Sequence, residues 1–346
     1  MKIHVLIWLG ICACALALAA GCGAKKPVLH IYTWSDYVKP SLLAQFEREN
    51  GCRVVVDIYD SNEALYAQIK KGTTNYDLLF PSSYMAKILN DEGLLQQLDP
   101  ERLPNLRNID PFYLDLAVDK RMEYSVPYTV SPAGLGYLGG RIDRFEPTWA
   151  MLDRADLKGR MTMLNDCRET IGAALKFLGY SLNTLDDQEL EQAKDVVLRW
   201  KHNLAGFENE RYKTGLASGE FVLTHGYGGD LLLARSQNEN VQIALPREGS
   251  SLTIDDMVIP STARHAELAH RFINFVLEPQ TAAELTAFIY FLCPNRPSYD
   301  LLLETLREDP VLFPPPEVLE KAEMIQDLGE GNAKYLKIWN EIQAGK

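Results

Sequence analysis

Four acidic residues, Asp166, Glu169, Asp230 and Asp255, and four aromatic ones, Trp34, Tyr37, Tyr84 and Tyr227, stand in distant segments that read as strand ends and loops. Gathered by a fold, they make an anionic pocket with aromatic walls. Such a pocket suits an organic polycation, because carboxylates take ammonium groups through charge-assisted hydrogen bonds and ring faces attract the neighbouring methylenes. Each group also has a plainer reading. Asp166 and Glu169 are three apart at a helix start, which is a capping pattern. Asp230 follows Tyr227-Gly228-Gly229 and reads equally as part of a turn that opens a helix. Asp255 and Asp256 stand before an apolar run, where a surface loop is the default.

Other chemistries find little support. The chain has no Gly-x-Ser-x-Gly, P-loop, Gly-x-Gly-x-x-Gly or His-Glu-x-x-His sequence. Its six His residues lack paired ligand spacing, so neither a metal nor a cofactor is expected. A formal charge of −12 argues against nucleic acid and anionic lipid as partners.

The elements that must position these residues alternate. A strand is expected over 29–32, a helix over 40–50, a strand over 53–59, a helix over 62–71 and a third strand over 76–80. Strands separated by such helices imply parallel βαβ units, whose ligands sit at the carboxyl ends of the strands. Trp34, Ser35 and Tyr37 follow the first strand and Ser82 and Tyr84 the third, so both loops fall on one edge. A second domain is expected after 126–128, where the chain turns Gly-rich. Helices follow over 166–179 and 187–200, with another from Ser218 onward. A return strand is expected over 258–260, an amphipathic helix over 266–277 and helical structure from 314 to 346.

The N-terminus reads as a secretion signal. Lys2 is its only charge, and an apolar run too short for a comfortable membrane span ends in small residues. Leu18-Ala19-Ala20-Gly21-Cys22 resembles the lipobox of bacterial lipoproteins, which implies cleavage after residue 21, a lipid on Cys22 and a tether over 22–27; ordinary cleavage near Gly21 is the alternative. The remaining Cys52, Cys167 and Cys293 are too scattered to assign a disulfide.

Several landmarks in order carry a wider resemblance: Tyr32-Thr33-Trp34-Ser35-Asp36-Tyr37-Val38, Ser61-Asn62-Glu63, Tyr76-Asp77-Leu78, Pro81-Ser82-Ser83-Tyr84, Asp166-Cys167-Arg168-Glu169, Pro246-Arg247-Glu248-Gly249, and Asp255 five residues before Pro260. Over nearly the whole mature chain these are similar to the polyamine-binding proteins of bacterial ABC importers, of the PotD and PotF type. The resemblance implies an α/β, two-lobed periplasmic-binding-protein fold (type II), each lobe a mainly parallel sheet flanked by helices, with the ligand cleft between. Residues 28–130 and 254–300 would form one lobe, 131–253 and 301–346 the other. It further implies a monomeric, non-enzymatic receptor, lipid-anchored in the periplasm, that delivers putrescine or spermidine to a membrane permease. Trp34, Tyr37, Tyr84 and Tyr227 match its aromatic walls, Ser82 a polar contact, and Asp166, Glu169, Asp230 and Asp255 its amine ligands. Ser35 belongs to the first of its loops. Tyr227 stands where Trp is usual, Thr253 where one branch has a second Trp, and Phe291 where Tyr is usual, with Tyr290 adjacent. An extracytoplasmic enzyme or a sensory receptor of the same fold is the rival expectation.

Overall fold

The computed structural model describes residues 26–345. The expected leader and the lipid site at Cys22 lie outside the described residues.

Strands β1 (Val28–Thr33), β2 (Arg53–Ile58) and β3 (Leu78–Leu79) form a parallel sheet in the order β2-β1-β3. Leu29 and Ile31 alternate into its core, where they meet Phe46, Leu78 and Phe272. The first crossover is the helix Pro40–Asn50, which starts on a proline and stops at Gly51 with φ 61°. The second is Asn62–Lys70, capped by the Ser61 hydroxyl, which accepts the Ala64 N–H.

The third strand is shorter than the apolar run predicts. Asp77, fully buried, accepts the N–H groups of His30, Arg264 and His265, so its side chain replaces a ladder and ties another segment to β1. Leu79 then turns to a different partner, exchanging backbone bonds of 2.9 and 3.0 Å with Val258. The predicted return strand is therefore only bridges at Val258 and Pro260. The strand proper, β9, runs Ser251–Met257, which puts Asp255 and Asp256 inside a ladder and not in a loop before it.

The second sheet has seven strands: β4 (Val126–Leu138), β5 (Met161–Met163), β6 (Gly206–Phe207), β7 (Leu223–Tyr227), β8 (Val241–Ala244), β9 and β10 (Glu323–Met324). It is mixed where a mainly parallel sheet was expected. β5 pairs parallel with β6 and β7, and β10 with β9, but β4 runs antiparallel to β7, β8 and β9. The Gly-rich stretch is the body of β4. Gly136 is needed there because an added Cβ would stand 2.5 Å from Leu231 and 2.7 Å from Leu216. Close packing accounts for that glycine.

The helix expected from Ser218 onward ends there. It spans Arg211–Ser218, and Gly219 closes it at φ 84° before β7. From 314 on the chain is only partly helical, with Pro316–Leu319, β10 and the long helix Asn332–Ala344. One core gathers Trp149, Leu164, Leu175, Trp200, Leu223 and Tyr335 around the second sheet, separate from the core around β1. Each such fully buried aliphatic or aromatic side chain stabilises its unit by roughly 1.5–3 kcal/mol. Strand β4 joins the two cores, with Val126 in the core around β1 and Leu135 and Leu138 in the core around the second sheet.

Candidate functional site

The two sheets face each other across a cavity of about 290 Å³. Trp34, Ser35, Tyr37, Ser82, Asp166, Tyr227, Asp230, Asp255 and Phe291 line it. Tyr84 and Glu169 line a smaller recess that shares Ser82, Asp166, Tyr227 and Thr253 with the main cavity. The ligand-binding residues singled out in the sequence therefore line this cavity or its recess.

Asp255 is the best supported group. Its Oδ2 accepts the Tyr37 hydroxyl at 2.5 Å, and its Oδ1 accepts the Ser82 hydroxyl at 2.8 Å. The Tyr37 hydroxyl in turn sits 2.5 Å from Thr129 Oγ1, and Asn62 Nδ2 donates to Ser82 Oγ at 3.2 Å. Tyr37 is thus less a wall than a brace: it is 6% exposed, and its ring meets Tyr128 and Phe291 edge-on. Burial pushes the Asp255 carboxyl up to about 6 against these two donors. Its neighbour Asp256 points into the core, accepts the Ser83 hydroxyl at 2.8 Å and is pushed by burial to about 7.

Asp166 bears out the capping reading and also lines the cavity, while Glu169 lines the adjoining recess. Asp166 is the N-cap of the helix Cys167–Leu178, and its Oδ1 accepts the N–H groups of Arg168 and Glu169 at 2.9 Å each. Glu169 does not reach back to complete a capping box. Its Oε2 accepts the Ser251 hydroxyl at 2.6 Å, while Oε1 is buried without a hydrogen-bond partner. An orphaned carboxylate oxygen costs of order 1–3 kcal/mol or more, so it marks a place for a donor. Burial, then the Asp166 charge, push this carboxyl up to about 8. Arg168 does not serve the cavity: its guanidinium bonds Gln326 O and Asn183 Oδ1 and stacks over Tyr335.

Aromatic groups close the sides. Trp34 packs against Tyr59 with centroids 4.4 Å apart, and its indole Nε1 is buried without a partner. Tyr227 ends β7 and begins the helix Gly228–Gln237 that carries Asp230. Gly229 is required by packing, since an added Cβ would stand 2.1 Å from the Phe291 ring. Tyr290 does not replace Phe291; it caps the preceding helix at φ 59° and packs in the core near Leu312. Cys167 lines the cavity, but burial raises its thiol far from the thiolate range, and all three described cysteines are free.

The sequence reading passed over several lining residues, Asp60, Asn165, Asn209, Glu210, Lys213 and Trp339, and took Glu63 only as a landmark. Two of them reach across the cleft. Ser35 Oγ donates to Glu210 at 2.9 and 3.1 Å, and Asn209 Nδ2 donates to the Asp60 carbonyl at 3.3 Å. Partial burial, then the Asp166 charge, raise the Glu63 carboxyl. Among the lining residues Lys213 is the one cation, against Asp60, Glu63, Asp166, Glu210, Asp230 and Asp255. Such a cavity is chemically suited to a cation with several positive centres and an apolar body.

A family model for bacterial extracellular solute-binding proteins matches residues 41–314. The chain belongs to that family. This solute-binding protein is 34% identical to the putrescine/cadaverine-binding protein of Pseudomonas aeruginosa, over 91% of its own length and 93% of the relative's. Its fold is similar to a putative spermidine/putrescine ABC transporter from Listeria monocytogenes, with a TM-score of 0.89, 32% identity and coverage of 93% and 100% of the two chains. It is also similar to the TpPotD lipoprotein of Treponema pallidum, with a TM-score of 0.83, 33% identity and coverage of 91% and 99%. The two-lobed architecture expected from the sequence is that of these neighbours.

Proposed function

We propose that this solute-binding protein captures polyamines, putrescine at least as well as spermidine, and hands them unchanged to an ABC permease. The observation that carries this reading is the buried, unpartnered Glu169 Oε1, in a recess that Asp166 shares with the cavity lined by Asp255. In this reading Asp255 and the Asp166–Glu169 pair each take an ammonium group. Trp34, Tyr84, Tyr227 and Phe291 flank the methylenes, and Ser35 and Ser82 are polar contacts. Asp230 adds a fourth carboxylate, already paired with Lys213. Burying an ammonium is costly unless it is paired, and each ring contributes about 0.5–2 kcal/mol. The ligands for which the Pseudomonas and Listeria proteins are named support the same class.

Residues 28–130 with 254–300 make one lobe and 131–253 with 301–346 the other, as the separate cores suggest. The lobes close around the ligand by bending where β4 and β9 pass between them. Titration calorimetry with putrescine, cadaverine and spermidine is expected to give micromolar or tighter Kd values, with X-ray scattering showing compaction as the cleft fills. A strong spermidine preference overturns the order of ligands. No binding of any of the three overturns the reading, and ligand consumed during incubation would point to an enzyme.

The protein acts as a monomer in the periplasm, held to the membrane by a lipid on Cys22. The Treponema neighbour, a lipoprotein, supports the anchor. Cys22→Ala is expected to move the protein from the membrane to the soluble fraction; an unchanged distribution would dismiss the lipid.

A further inference from the structure

One of the cavity's carboxylates already holds an ammonium group, supplied by the chain itself. Lys213, on the helix Arg211–Ser218, lines the cavity with a side chain only 11% exposed. Its Nζ stands 3.5 Å from Asp230 Oδ1 and 3.6 Å from Glu210 Oε2. The other Asp230 oxygen, Oδ2, accepts the Tyr212 hydroxyl. Burial opposes a charge on Lys213, yet Asp230, Glu210 and Asp36 outweigh it and hold the amine above its usual range, so it stays protonated.

A lysine side chain is a four-carbon chain ending in a primary ammonium, the unit that putrescine presents from either end and that forms the aminobutyl arm of spermidine. Tethering gives it an effective concentration near millimolar, well above that of a scarce free solute. A third ligand ammonium arriving here would also meet a like charge. Resting on the polyamine reading above, we infer that Lys213 is a specificity-determining residue. Its ammonium fills the Asp230 position, leaves Asp255 and the Asp166–Glu169 pair to the ligand, and makes the cleft select dications over trications.

Calorimetry with putrescine and spermidine on the full chain, K213M, D230N and the double variant tests this. K213M is expected to tighten spermidine at least tenfold and putrescine less than threefold. The spermidine loss caused by D230N is expected to be at least tenfold larger in the K213M background than in the wild type. An unchanged spermidine-to-putrescine ratio in K213M, or equal D230N losses in both backgrounds, overturns the inference and leaves the polyamine reading standing. Failure of wild type and K213M alike to bind either ligand overturns both. Thermal melts verify folding, and K213Q repeats the measurement if K213M is unstable.

Discussion

Asp255→Asn is expected to weaken putrescine binding about a hundredfold, whereas Asp256→Asn should change it by less than about threefold. The two residues are adjacent in β9 and alternate in direction. Asp255 lines the cavity with both oxygens oriented by Tyr37 and Ser82, while Asp256 is fully buried against Ser83. The amide keeps the shape but loses the charge, and half of its donor–acceptor set now faces the hydroxyls the wrong way. Losing a charge-assisted bond of about 1.5–3 kcal/mol corresponds to roughly ten- to hundredfold in Kd, and the mismatch pushes toward the upper end. Equal losses from the two substitutions, measured by calorimetry, would mean that the ligand does not contact Asp255.

The second large effect is on pH. In the empty cleft the Asp255 carboxyl titrates near 6 and that of Glu169 near 8, both raised chiefly by burial. An amine of lysine-like basicity, with a pKa of about 10.4, stays charged throughout this range. Its ammonium favours the ionised carboxylate, so the bound state holds fewer protons than the free state. Binding therefore releases protons, and affinity rises as pH climbs through 6 and then 8. Putrescine is expected to bind at least tenfold more tightly at pH 8.5 than at pH 6, and Glu169→Gln should flatten the upper step. Calorimetry in buffers of different ionisation enthalpy reads the released protons directly; a Kd independent of pH would refute the assignment of Glu169 as an ammonium partner. Without ligand the sign reverses for stability. The folded chain then holds protons that the unfolded carboxyls give up near pH 4, so its stability falls as pH rises toward 8.

Much of this was readable before any coordinates, for reasons that differ by segment. The helix Pro40–Asn50 carries its start and stop signals locally, and β1 and β2 alternate or run apolar as strands do. The third strand misled because its apolar run buries residues by a different route, through Asp77 and Val258. The body of β4 was hidden because the Gly-rich stretch read as a domain boundary, whereas Gly136 is demanded by Leu216 and Leu231 packing across it. At the site, residues beside strand ends and helix starts were recoverable, since those places aim side chains outward. Glu210 and Lys213 were not. Three residues apart beside a helix, they look like any solvated ion pair; Ser35 engages Glu210 from across the cleft and Asp230 draws Lys213 inward. Thr253, by contrast, was noted as a missing ring, and it lines both the cavity and its recess.

The register of β4 against β9 slips between Pro127 and Thr129, directly opposite Asp256 and Asp255. A slipped ladder is locally disrupted, bent and more twisted than a regular one. In the proposed reading, the carboxylate that grips the cargo is mounted on the axle itself, with no lever arm between grasp and rotation. A change of a few degrees in that joint is felt at once by the hydroxyls of Tyr37 and Ser82, and hence by whatever charge Asp255 holds. Under that reading, loading and unloading are one mechanical event.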